Sequence, residues 1–152
     1  MTSRPVRRAR PGVVFISHDA WRNGAPIVLL RFLTWLKTHS SLPFSVVLRD
    51  GAGELRPDFE QLCPLVAWNE LEAAPRSWPA SMYRRRSESD PLKSVLASTN
   101  VGLVYSNTIT NGRLLKELAA PGRPVITHVH ELEYWMTHRL DPLDLQETIR
   151  YT

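Results

Sequence analysis

A chain of 152 residues with 43% apolar and 22% charged residues lies near the globular averages, which excludes a disordered or fibrous class and fits one domain around one core. The net charge of +4 is uneven, with Arg4, Arg7, Arg8 and Arg10 crowding the start and Arg84, Arg85 and Arg86 forming a second cluster. Without interleaved aromatics these clusters read as solvated charge rather than a nucleic-acid interface, while peripheral contact with an anionic membrane surface stays open.

Residues 1–12 read as a flexible basic arm, and 13–152 as one folded domain. The apolar stretch after the arm, Val13 to Ile16, is too short for the core of a secretion signal, and nothing approaches a membrane span. Cys63 is the only cysteine, so no internal disulfide forms and a reducing, cytoplasmic compartment is expected. Beside Pro64 and an apolar run, Cys63 reads as a packing residue.

Val13, Val14, Phe15 and Ile16 form a continuous apolar run bounded by Gly12 and Ser17, the pattern of a strand buried on both faces. From Gly24 to His39 the apolar residues Ile27, Leu29, Leu30, Phe32, Leu33, Trp35 and Leu36 recur at helical spacing, with Pro26 tolerated in the first turn. Phe44 to Leu48 predicts a second strand, Glu54 to Leu62 a short helix, and Leu65 to Trp68 a third strand. No clear period runs from Asn69 to Asp90. Pro91 to Ser98 predicts a helix, Val101 to Tyr105 a fourth strand, and Thr110 to Ala119 a helix ended by Pro121 and Gly122. Pro124 to Thr127 opens a fifth strand, and a last helix is expected near Asp141 to Arg150.

Short apolar runs alternating with helices imply right-handed crossovers and a mainly parallel five-stranded sheet in order 3-2-1-4-5: an α/β, Rossmann-like three-layer sandwich. Ligands of such sheets bind beyond the carboxyl ends of the strands where the order reverses, here between strands one and four. Three strand ends turn abruptly polar: Ser17, His18 and Asp19; Ser106, Asn107 and Thr108; and His128, His130 and Glu131. Polar strand ends also arise wherever a strand meets water, but richness in histidine and amide favours a site. The Asn23, Gly24, Ala25, Pro26 loop enters the first helix, where unpaired N–H groups and the helix dipole favour a phosphate. One glycine is too few for a dinucleotide fingerprint, and no P-loop pattern exists, so no cofactor is expected.

His128 and His130 are two apart and on extended backbone face one side. Their spacing fits no helical zinc motif, so no metal is expected. A hydrogen-bonding or acid–base role and a structural role at a strand end both remain. Ser17, His18 and Asp19 spell a hydrolase triad, but neighbours on extended backbone point in alternate directions and are not expected to converge. Tyr134 and Trp135 fit either a sugar-binding surface or a core or lid role.

The run Phe15, Ile16, Ser17, His18, Asp19, Ala20 with Gly24, Ala25, Pro26 and a leucine-rich helix resembles the opening of bacterial glycosyltransferase family 4 proteins. So do Gly53, Glu54, Leu55 leading to Phe59; Val104 to Thr108; and Pro124, Val125, Ile126 running into His128, Val129, His130, Glu131, Leu132, Glu133. The similarity covers about Val13 to Trp135. It implies a GT-B enzyme, in which two Rossmann-like domains face each other and a sugar passes from a nucleotide-sugar donor to a sugar or glycolipid acceptor with retention. The N-terminal domain of that family mainly holds the acceptor, and its first glycine loop, here Gly24, Ala25 and Pro26, approaches the donor phosphates. The resemblance also implies a histidine near the transferred sugar, with His130 the nearest match and His128 second, at a site that needs no metal.

The family's second domain, which carries the nucleotide pocket, has no counterpart up to Thr152. The expectation is therefore an acceptor-side half at the cytoplasmic face of the membrane, inactive without a second half or a homodimeric partner. His18, Asn107, Thr108 and Glu131 are expected to assist binding. Because fold does not settle function, the alternative is a stand-alone module for a sugar, a phosphorylated ligand or a protein partner.

Overall fold

The computed structural model describes residues 10–72, 91–118, 122–131 and 141–152. Among these, five strands alternate with six helices: β1 Gly12–Ser17, α1 Gly24–His39, β2 Phe44–Leu48, α2 Arg56–Leu62, β3 Leu65–Ala67, α3 Trp68–Glu72, α4 Pro91–Thr99, β4 Val101–Ser106, α5 Gly112–Leu118, β5 Val125–Thr127 and α6 Pro142–Tyr151. A 3-10 turn over Ile109–Asn111 precedes α5. All four strand pairings are parallel, and the order is β3-β2-β1-β4-β5, as the alternation of runs predicts.

The sheet separates two cores because successive strand residues face opposite ways. Val13, Phe15, Val46 and Leu48 face α1 and α2, meeting Leu29, Leu33, Leu36 and Phe59. Val14, Ile16, Val47 and Val104 face the other side, meeting Leu114, Leu115 and Leu118 of α5. Each large side chain sealed in this way contributes about 1.5–3 kcal/mol. The first core is aromatic at its centre, with Phe15 in edge contact with Phe32 and Phe44 at centroid distances of 5.9 and 6.0 Å and tilted against Tyr105 at 5.3 Å.

Helix α1 begins after an extended Asn23 that offers no side-chain cap, and it carries Lys37 and His39 in its last turn, where cations complement the dipole. Pro26 is buried in the first turn, where a missing N–H removes no intrahelical bond. Helix α6 is capped by Asp141, which accepts from the Leu143 N–H, with Pro142 in the first helical position.

Four expectations are corrected. Gly12, assigned to the arm, is the first residue of β1 and buried. Helix α2 starts at Arg56 rather than Glu54, because Gly53 takes a φ of +133° and the Leu55 N–H turns back to the carbonyl of Ala20 at 2.8 Å. Trp68 opens α3 instead of ending β3, since β2 offers pairing partners only as far as Leu48 and the next amide, Asn69, bonds the carbonyl of Arg49 at 3.1 Å. The helix expected from Thr110 starts as the 3-10 turn and becomes α-helical at Gly112, because the Thr108 hydroxyl accepts from the Thr110 N–H.

Arg4, Arg7, Arg8, Arg84, Arg85, Arg86, Tyr134 and Trp135 lie outside the described residues. No helix among the described residues is long and apolar enough to cross a membrane.

Candidate functional site

The rim between β1 and β4 is stitched by backbone and then by one amide side chain. The Asn107 N–H donates to the carbonyl of Ile16 at 2.9 Å, which closes the crevice beneath the rim. Its side chain then bridges outward. Asn107 Nδ2 donates to the carbonyl of Ala25 in the first turn of α1 at 2.8 Å, and Asn107 Oδ1 accepts from His130 Nε2 at 3.2 Å. One nearly fully buried amide thus ties the Gly24 loop to the histidine beyond β5.

Because Oδ1 has no proton to give, His130 carries its proton on Nε2, which leaves Nδ1 as the basic atom. Desolvation beside Asn107, the neighbouring His128 and His18 hold the His130 pKa below its ordinary value, against a smaller opposing pull from Glu131. The ring is therefore neutral at pH 7.

His128 and His130 do share a side, with ring centroids 3.9 Å apart. The chain continues the β5 ladder past its end, the His128 N–H bonding the carbonyl of Ser106 at 2.8 Å, so the period of two persists. His128 Nδ1 pairs with the Tyr105 hydroxyl at 2.8 Å, and burial raises the Tyr105 pKa, keeping the phenol neutral. Tyr105 is a partner that the sequence reading missed. Its position near the end of β4, two residues before Asn107, is the available signal.

His18 meets Asp19, with Nε2 to Oδ2 at 3.0 Å, which corrects the expectation that these neighbours diverge: β1 ends at Ser17, and alternation no longer governs the next residues. The hydrolase triad still does not form, because Ser17 Oγ is fully buried and, among the described residues, has no hydrogen-bond partner. His18 Nδ1 is likewise buried, with no hydrogen-bond partner among the described residues.

Two further candidates are spent inside the fold. Thr108 is buried and donates from its hydroxyl to Glu131 Oε1, while Glu131 Oε2 accepts from the N–H of His130 at 2.9 Å and of Ile109 at 3.5 Å. This carboxylate fixes the turn that carries His130 to the start of the 3-10 turn. Asn23 and Gly24 are exposed, and a Cβ on Gly24 would meet nothing within 4 Å. Packing thus leaves the space above the loop open, with first-turn N–H groups that lack intrahelical acceptors.

Beside the rim lies an open pocket of about 210 Å³ lined by Val28, Leu29 and Phe32 of α1, with Tyr105, Asn107 and His128 opposite. Among the described residues, no cluster of three or more histidine, cysteine or acidic side chains is arranged to hold a metal ion.

The geometry can grip a neutral polar ligand by an amide and imidazoles and can offer N–H groups to an anion at α1. No family model matches the chain, and the searches of curated proteins and of solved structures returned no match.

Proposed function

We propose that this chain is the acceptor-side domain of a retaining glycosyltransferase, with the Gly24 loop near the donor phosphates and His130 near the transferred sugar. The single observation that carries the reading is the Ala25–Asn107–His130 relay, which gathers three separate strand ends on one rim. A neutral His130 with its proton fixed on Nε2 presents Nδ1 to accept a hydrogen bond from a sugar hydroxyl. Asn107, Thr108 and Glu131 then act as positioning residues, and His18 and His128 flank the acceptor. The resemblance to family 4 assigns the nucleotide pocket to a second Rossmann-like half, so transfer is expected only where such a half is supplied.

The test joins the chain to a nucleotide-binding half and measures transfer from a panel of nucleotide sugars. His130→Ala should lower turnover about a hundredfold or more while the melting temperature holds. Near-normal turnover would leave His130 structural. A second reading, a binding module for a sugar or phosphorylated ligand, is favoured by the fact that relay and pocket are both built from described residues of this chain. Tight ligand binding by the chain alone, with no transfer in any pairing, would select it.

A further inference from the structure

The pocket beside the rim has a chemistry of its own. Its floor and flanks are Val28, Leu29, Phe32 and the ring of Tyr105, and its polar end is Asn107 with His128. At about 210 Å³ it exceeds the volume of about 150 Å³ that suffices for a benzene ring in an apolar cavity. Aromatic edges already meet there, with Phe15 touching both Phe32 and Tyr105, and Tyr105 standing at 83° to His128. A ring entering between Phe32 and Tyr105 would extend that packing.

Charge narrows the occupant. Among the described residues no carboxylate, lysine or arginine lines the pocket, so a charged group would lose hydration without gaining a partner there. One hydrogen-bonding position is open at the polar end: His128 Nδ1 is engaged by Tyr105, and among the described residues nothing bonds His128 Nε2. That nitrogen donates or accepts according to the tautomer, and a hydroxyl satisfies either case. We propose that this pocket binds a neutral ring-bearing alcohol, its ring between Phe32 and Tyr105 and its hydroxyl at His128. The inference concerns equilibrium binding by this chain and stands whether or not the chain takes part in glycosyl transfer.

The test is titration of the full chain with phenol, followed by NMR shifts, against toluene, benzoate, benzylammonium and glycerol. Phenol should saturate and shift Val28, Phe32 and Tyr105, with toluene and the two ions each weaker by about tenfold, as loss of one hydrogen bond or burial of an unpaired charge requires. Val28→Trp fills the pocket from a half-exposed position and should weaken phenol at least about tenfold without lowering the melting temperature. If that variant fails to fold, Phe32→Ala, also on the exposed side of α1, should weaken phenol by removing one wall. Phenol shifts absent from the three residues, glycerol binding as well as phenol, or unchanged affinity in a folded variant would each overturn the proposal.

Discussion

The two faces of the sheet are built to different tolerances. The face under α5 and α6 is aliphatic and sealed, with Val14, Ile16, Val104, Leu114, Leu115 and Leu118 at 0–1% exposure. It is also locked by polar contacts at its edge. Asp144 of α6 is buried, pairing with Arg49 Nη2 at 2.9 Å and accepting from the Arg113 N–H at 3.0 Å, while Thr148 Oγ1 donates to the carbonyl of Ile109 at 2.8 Å. The α1 face is sealed over β1 and β2 but opens over β4 and β5, where Val28, Phe32 and Ile126 are 43–50% exposed. The pocket residues Val28, Phe32, Tyr105, Asn107 and His128 lie on that opening, opposite the sealed face.

The largest expected effects break the sealed face. A Cβ on Gly112 would overlap the backbone of Asp144, which has no flexible end to yield, so Gly112→Ala must push α6 away from α5. A loss of about 3 kcal/mol in urea unfolding is expected. Asp144→Ala removes the carboxylate partner of Arg49, but the guanidinium keeps its hydrogen bond to the carbonyl of Thr110 and, at 31% exposure, recovers some hydration. Its cost should therefore be about 2–3 kcal/mol, below the range for breaking a fully enclosed pair. If Asp144→Ala proves neutral, the edge lock is ornamental and the contrast between the faces is packing alone.

Asn107→Ala probes the open face, and its stability cost should be smaller, about 1 kcal/mol, because the carbonyl of Ala25 and His130 Nε2 sit near the surface and can turn to water. What should change is order: the His128 and His130 ring resonances should broaden or shift. A loss as large as that of Asp144→Ala would make the rim as structural as the opposite edge.

Much of this contrast was legible in the sequence. Short continuous apolar runs bounded by glycine or polar residues mark β1 and β2 as buried strands, and helical spacing of apolar residues marks α1. The rim, too, was visible as polar residues at three strand ends. What the sequence hid are couplings between distant segments, such as Arg49 with Asp144, Asn107 with Ala25, and Thr108 with Glu131, because no local period encodes a partner far along the chain. Trp68 shows the same limit at a boundary: its apolar character extends a strand pattern, but hydrogen bonds from Gly51 and to Asp50 through the Asn69 side chain hold the next turn elsewhere.

The pH dependence of stability sharpens the picture of the rim. His130 has a depressed pKa in the folded chain, so between that value and the unfolded value of about 6.5 the unfolded chain binds more protons. This group's stabilisation is therefore fully present above about pH 6.5 and is lost as pH falls toward the folded pKa. Wild type should lose more stability than His130→Gln over that interval. The opposite order would mean that Glu131 holds His130 as an ion pair, making the rim a charged site.

The smallest effect concerns how far the α1 face opens. Cys63 follows α2 at the end away from the rim, and burial pushes its thiol up from 9.0 to about 11, with Lys37 pulling partly the other way. Two pKa units cut the thiolate about a hundredfold, but a more basic thiolate is intrinsically more nucleophilic and regains about tenfold. Alkylation of the native chain near pH 8 should thus run about tenfold slower than that of a short cysteine peptide, before any further slowing from burial. Labelling at the peptide rate would place the α1–α2 end in frequent opening, and the looseness of this face would then extend well beyond the rim.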